Sequence, residues 1–471
     1  MDFLHGVETI ETEIGGQAID VVKSSVIAIV GIAPVGVSQA LVQCNTAADD
    51  AQFGKPLPGF NIPKTLQLTR AIAGNTPVLV VNTFNPTSHT TQVTLEAQTV
   101  TGGKLKLANA PIGAVNIFQA DGTTAAPYVL NTDYTLDEYG NFQVISNAIA
   151  DTTVLKFSYK KLNASAITPT ILIGGTDVNG LRTGLALFDI AFNTVGFNPK
   201  IFVSPGYMSL SAMVAAMSTV ADKFRAVYLV DAPYGTTVAG AIAGRGVNGS
   251  IVFNTSDERA FLLYPYGKAY DNYSNADVDY PASAFVAALI AKTDNDLGYW
   301  YSPSNKEISA MTGTERVIQW SINDSSCEAN QLNAVGISTL VAGFGTGTRL
   351  WGNRNASFPI SSSVKNFVSV RRTDDVVIES MEQAALPFVD KPITQALIDT
   401  MRESGNTFMR TLIQRGAILP GSTVNYNRSD NSAGELAAGK ITFERVYMIP
   451  TPAERITYKD VLDISLLNQF K

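Results

Sequence analysis

The chain has 471 residues, of which 45% are apolar and 16% charged, with a formal net charge of −7. That length allows roughly two to four domains, the apolar content excludes a chain disordered throughout, and a charged share below the ~25% of average soluble proteins suits a surface made for contact with other chains. The strongest basic run, Arg371-Arg372, is followed at once by Asp374-Asp375, which excludes a phosphate-tracking nucleic-acid surface.

Residues 1–24 read as an extended arm. His5 to Ile14 mixes β-branched and acidic residues and stops at Gly15-Gly16, with strand propensity but too little apolar surface for a core. The glutamates of this segment and its lack of an apolar stretch predict no signal peptide, and no apolar run approaches bilayer length. Residues 25–89 open an α/β core. Ser25 to Gly31 and Pro77 to Asn82 are short continuous apolar runs and predict fully buried strands.

Residues 90–165 change to Thr, Val, Gly and Tyr in short strand-like segments separated by turns such as Thr101-Gly-Gly103 and Tyr139-Gly-Asn141. This spacing predicts a small all-β domain inserted in the chain. Residues 166–300 alternate strand and helix. Lys200–Ser204 and Ala226–Asp231 flank a helix with Leu210, Met213, Val214, Met217, Val220 and Phe224 on one face, a βαβ unit that implies parallel strands. Ile251–Phe253 and Phe261–Tyr264 continue as strands, and Ala282–Ile290 as a helix.

Residues 301–454 form a third region. Ile337–Val341 reads as a strand, and Ser363–Arg371, with Val364, Phe367 and Val370 apolar, as another. Ile393–Arg415 is the clearest helix, stopped by Gly416, with Gly405 either a kink or a close-approach point. After Pro450 and Pro452, residues 455–471 repeat the character of the head: Arg455–Tyr458 and Val461–Ile464 can form strands with little core behind them. The fold class is thus α/β and α+β multidomain: an α/β core with a mixed sheet, an inserted all-β domain and extended N- and C-terminal arms.

Chemistry is sparse. The two histidines, His5 and His89, read as solvent-facing loop residues. Cys44 and Cys327 form no Cys-x-x-Cys pair, so neither a zinc nor a redox motif is supported. Gly244-Arg-Gly246-Val-Asn-Gly249 matches the dinucleotide-binding letters, but a helix-like segment precedes it and a strand-like one follows. This reverses the order that aims helix amides at a pyrophosphate. Asp374-Asp375 reads as a turn or as ion-pair partners of Arg371 and Arg372 rather than an acid–base pair. No cofactor and no metal are expected, and the chain is not expected to be an enzyme. The rival readings are an α/β enzyme built on residues 170–300, and an exported β-rich surface protein or adhesin suggested by the Thr-rich insert.

Several strings in order resemble the contractile tail sheath family of bacteriophages and phage-tail-like bacteriocins. They are His5-Gly-Val7 with Ser25 to Pro34, Tyr301–Asn305, Gln331–Gly336, Thr348-Arg-Leu-Trp-Gly-Asn-Arg354, Val370–Asp375, Gly439–Phe443 and Pro450-Thr-Pro-Ala-Glu454. The resemblance implies a structural subunit that polymerises with its own copies as stacked six-membered rings around an inner tail tube protein. It also implies contraction that drives the tube through a cell envelope, contacts with baseplate and tail terminator proteins, and no nucleic-acid or membrane contact. The place of action would be a virion tail assembled in the host cytoplasm. The arms would donate strands to neighbouring subunits through Val7, Thr9, Ile10 and Glu11 at one end and Ile456, Tyr458, Val461 and Ile464 at the other. The accepting strand would include Val364, Phe367 and Val370. Arg402, Arg410 and Arg415 would face the tube from the domain 301–454.

Overall fold

A computed structural model describes residues 19–246, 249–343 and 345–469. His5 and the arm residues Val7, Thr9, Ile10 and Glu11 lie outside the described residues.

The apolar runs become the centre of a nine-stranded sheet. In order across it the strands are Lys306–Glu307, Thr346–Trp351, Ile337–Gly343, Ala260–Tyr264, Val227–Asp231, Ile201–Val203, Ile27–Gly31, Val78–Asn82 and Leu41–Cys44. From Ile337–Gly343 to Val78–Asn82 the pairing is parallel, and the outer strands are antiparallel. Successive side chains alternate between faces. Ala28, Val30, Leu79, Val81, Phe202, Tyr228 and Leu262 pack on one side with Met213, Met217 and Phe224 of the helix Ser211–Phe224. Ile27, Ile29, Val78, Val80, Ile201, Leu229 and Phe261 pack on the other with the helices Ile62–Ala73 and Ala282–Asp296. Ala282 to Ala291 is buried all round, as expected of a helix sandwiched between sheet and neighbouring helix. Strands from residues 306–351, which the sequence groups with the C-terminal region, belong to this same sheet.

Residues 90–162 form two three-stranded antiparallel sheets. One has the order Thr90–Thr99, Val154–Leu162, Ile112–Phe118, and the other Lys104–Lys106, Asn141–Val144, Tyr134–Leu136. They enclose a core of their own that includes Val100, Tyr134, Phe142, Phe157 and Tyr159.

The C-terminal part is built on the helices Val368–Ala385 and Gln395–Arg415 and a two-stranded ladder, Thr423–Asn425 with Glu444–Val446. Gly416 ends the second helix at φ 78°. Gly405 is a close-approach point inside an unbroken helix: a Cβ there would lie 3.0 Å from Val424 Cγ2 and 3.2 Å from Met381 Cε.

Two expected strands are absent, and two C-terminal ones find no partner within the described chain. Ser363–Arg371 is a short 3-10 turn running into the Val368–Ala385 helix, because the three-residue spacing of Val364, Phe367 and Val370 suits a helix and Arg371 pairs one turn on with Asp375. Ile251–Phe253 is a turn whose Phe253 carbonyl is bonded by Arg245 instead of a neighbouring strand. Arg455–Tyr458 and Val461–Ile464 have no ladder partner within the described chain, and Ile464–Gln469 is a 3-10 turn.

Candidate assembly interface at the arm roots

The C-terminal arm has the least internal support. Residues 454–467 are exposed throughout, including Ile456, Tyr458, Val461, Leu462 and Ile464, with Leu462 at 97%. Large apolar side chains left in water on one short segment, here interleaved with charged residues, suit a surface that meets a partner. Its root is fixed by Arg354. The guanidinium meets the Glu454 carboxylate at two points, Nε–Oε1 3.0 Å and Nη2–Oε2 2.5 Å, and also donates to Asn366 Oδ1.

The root of the N-terminal arm lies on the Val368–Ala385 helix. Val22 N donates to Ser380 Oγ at 3.1 Å, Arg372 Nη2 donates to Ser24 O at 3.1 Å, and Ile19 and Val21 pack against the C-terminal core. This helix carries charge on its buried faces, and each charge is paired. Arg371 bonds Asp374, Asp375 and Glu258, Asp375 also bonds Arg259, Arg372 bonds Asp294, and Glu379 bonds Lys200. Burial pushes the Asp374 carboxyl up, but the Tyr447 hydroxyl, Lys365 and Arg371 together hold it below the ordinary carboxylate range. Tyr447 lies beside the hairpin strand Glu444–Val446, so one helix ties together the α/β core, the N-terminal segment and the C-terminal hairpin. The expected pairing of Asp374 and Asp375 with Arg371 is found, within a helix, whereas Arg372 takes Asp294.

The hairpin has one blocked edge and one open edge. Asn406, on the helix Gln395–Arg415, accepts from Val424 N and donates to Val424 O, both at 2.9 Å, and so occupies the outer side of Thr423–Asn425. On the other strand, Thr442 bonds Asn431 and Met448 O accepts from Leu419 N, so these residues turn their backbone inward. Alternation then points the N–H and C=O groups of Phe443, Arg445 and Tyr447 outward. Among the described residues no strand other than Thr423–Asn425, on the inner side, pairs with Glu444–Val446. Val364, Phe367 and Val370, the expected acceptors, are instead at the start of a helix, with Phe367 and Val370 buried. Arg402, Arg410 and Arg415 are exposed on the helix Gln395–Arg415; Arg402 pairs with Asp399 at 3.0 Å and Arg410 with Glu403 at 2.5 Å.

The enzyme reading fails on geometry. In a doubly wound sheet a ligand would lie where the strand order reverses, here between Ile27–Gly31 and Ile201–Val203. Asn61 plugs that crevice: its Oδ1 accepts from Ile32 N at 2.8 Å and its Nδ2 donates to Pro205 O at 2.9 Å. Arg245, inside the glycine motif, points into the protein and binds carbonyls. His89 is not solvent-facing: it is buried, its Nδ1 accepts from Asn85 N at 3.0 Å, and burial pushes its pKa down. Among the described residues no group of His, Cys, Asp or Glu is placed to hold a metal, and no helix is long and apolar enough to cross a membrane. The sequence reasoning missed Asn61, Asn406 and the Arg354–Glu454 pair. Only the last had a signal, since both partners stand in strings that carried the family resemblance.

Residues 182–356 match the family model described as phage tail sheath protein central domain. The tail sheath protein of Burkholderia phage BcepMu is 38% identical over 468 residues, covering 97% of this chain and 96% of that one. The tail sheath protein of Escherichia phage P2 is 30% identical over 294 residues, covering 62% of this chain and 71% of that one. Among solved structures, the helical sheath of the anti-feeding prophage in its contracted state aligns with a TM-score of 0.60 at 16% identity, covering 98% of this chain and 100% of that one. The sheath complex of an extracellular contractile injection system, also contracted, aligns at 0.59 and 14%, covering 99% and 100%. The fold is thus that of contractile sheath subunits. The chain belongs to the phage tail sheath family: it is a structural component of a virion tail and not an enzyme.

Proposed function

We propose that this chain polymerises as stacked six-membered rings around an inner tail tube, and that the sheath contracts to drive the tube through a cell envelope. The observation that carries this reading is the exposed apolar segment beyond Glu454, set against the open hairpin edge at Phe443, Arg445 and Tyr447. The arm of one subunit, through Ile456, Tyr458, Val461 and Ile464, adds a strand to that edge in a neighbour; main-chain bonds supply strength and side chains set register. Residues 1–23, with Val7, Thr9, Ile10 and Glu11, form the second donated arm. The helix Gln395–Arg415 faces the tube with Arg402, Arg410 and Arg415, and the insert 90–165 faces outward. The inner tube, baseplate and tail terminator proteins are the partners. Similar folds occur in sheaths solved in the contracted state, which supports the contractile reading.

Negative-stain electron microscopy of the chain co-expressed with the tube protein of its own particle tests this. Sheathed tubes of uniform diameter are expected, with bare tubes when residues 455–471 are deleted. Full sheathing by the truncated chain would refute strand donation.

A further inference from the structure

We infer that Arg354 is a positioning residue for the C-terminal arm: by gripping Glu454 it fixes the point and direction from which the arm leaves the body. The inference rests on the strand-donation reading above.

The Arg354 guanidinium is oriented before it meets the arm. Its centre lies 3.6 Å from the Phe367 ring centroid and 4.6 Å from that of Phe358, and Nη1 donates to Asn366 Oδ1. Two rings and an amide hold the plane of the fork, and its Nε and Nη2 then take the two oxygens of Glu454. A planar two-point contact sets orientation as well as distance, which a lysine in this place would not do.

Glu454 is the last tether. Upstream of it Met448 O accepts from Leu419 N, and Ile449 is buried in the C-terminal core. Beyond Glu454 the hydrogen bonds among the described residues stay within the arm, from Ser465 N and Leu466 N to Asp463. Without the pair, the free point would retreat from Glu454 to Ile449. The mobile segment would lengthen, and the effective concentration of the arm at its acceptor would fall.

The test uses the full chain with nitroxide labels at Ser362→Cys and Lys459→Cys, Cys44 and Cys327 being buried. In dilute monomer the label distance distribution is expected to broaden about 1.4-fold in Glu454→Ala, as the square root of a free length that doubles. Glu454→Gln, which keeps one accepting oxygen, should fall between. Co-expressed with its tube protein, Glu454→Ala should lower the fraction of fully sheathed tubes about threefold, as the −3/2 power of a free length that doubles, while melting at the wild-type temperature, because Glu454 is half-exposed and among the described residues is bonded through this pair alone. Unchanged label width, or full sheathing by Glu454→Ala while deletion of 455–471 leaves bare tubes, would overturn the positioning role and leave strand donation standing. Full sheathing by the deletion would overturn both.

Discussion

Arg245→Lys should destabilise the protein by about 2–3 kcal/mol, and Arg245→Ala by about 4–5 kcal/mol. Arg245 follows the helix Val238–Ala243, and its guanidinium bonds carbonyls alone: Nε to Val335 O at 2.8 Å, Nη1 to Phe253 O at 2.7 Å and Thr255 O at 2.5 Å, Nη2 to Ala356 O at 2.6 Å and Phe358 O at 2.9 Å. Three segments far apart in sequence are closed onto one side chain. A charge-assisted bond contributes ~1.5–3 kcal/mol, and a buried carbonyl left unpaired costs ~1–3 kcal/mol. An ammonium has three donors on a single atom and cannot reach acceptors arranged around a planar fork, so at least two carbonyls are lost. Alanine loses all five, with partial compensation by water. The assay is urea unfolding followed by tryptophan fluorescence. Amide exchange at residues 253–255, 335 and 356–358 adds local resolution, because a chain with several cores need not unfold in one step. The reasoning is refuted if Arg245→Lys lies within about 0.5 kcal/mol of wild type with unchanged exchange at those segments.

Asp231 is fully buried against Ser283, and burial pushes its carboxyl from 3.8 up to about 7. The folded state therefore holds the proton more tightly. The associated stability is complete below the unfolded pKa and is lost as pH rises through about 7. Asp231→Asn, which mimics the protonated form, should gain about 4 kcal/mol relative to wild type between pH 4 and pH 8, read from paired denaturation curves; parallel curves would contradict it. Gly405→Leu should cost about 2–3 kcal/mol, because Val424 and Met381 occupy the space of its side chain; a wild-type melting temperature would show that the hairpin can move away. Asn406→Ala should cost about 2 kcal/mol and uncover the Val424 edge, so sedimentation velocity should detect self-association at lower concentration than for wild type. An unchanged monomer would mean that this edge is protected by something other than Asn406.

The central sheet was legible because continuous apolar runs such as Ser25–Gly31 and Ala226–Asp231 have few places to go except a strand buried on both faces. The helix Ser211–Phe224 and the stop at Gly416 were legible for similarly local reasons. What misled was chemistry that depends on distant partners. Arg371, Arg372, Asp374 and Asp375 read as a turn or as ion-pair partners of one another; the Arg371 pairs are present, but in a buried helix instead of a turn, since Arg259, Asp294, Glu258 and Tyr447 arrive from elsewhere in the chain. Ile251–Phe253 looks like a strand because its apolar letters do not reveal that Arg245 will bond its carbonyl. His89 stands among polar letters, and the aromatic contact with Phe84 at 5.9 Å shows only in three dimensions. The C-terminal segment is a different case: its β-prone residues have no core behind them in the sequence, and among the described residues 455–469 find no ladder.

The low charge content acquires a sharper meaning once the charges are located. Lys200, Arg259, Arg371, Arg372, Asp374, Asp375 and Glu379 are all buried and all paired. These groups are withdrawn from the surface and set to hold the interior together. Buried ion pairs add little net stability, because desolvation offsets attraction, but breaking one by removing a partner is costly. A network of them holds the Val368–Ala385 helix in one register against the core, and that helix carries the root of one arm and touches the hairpin beside the root of the other. Exposed apolar residues are distributed in the opposite way, concentrated on a segment with no support of its own. Rigidity is thus placed at the segments from which residues 19–24 and 454–469 leave the body, and exposed apolar groups on the C-terminal segment beyond it, a division of labour that suits the strand donation proposed above.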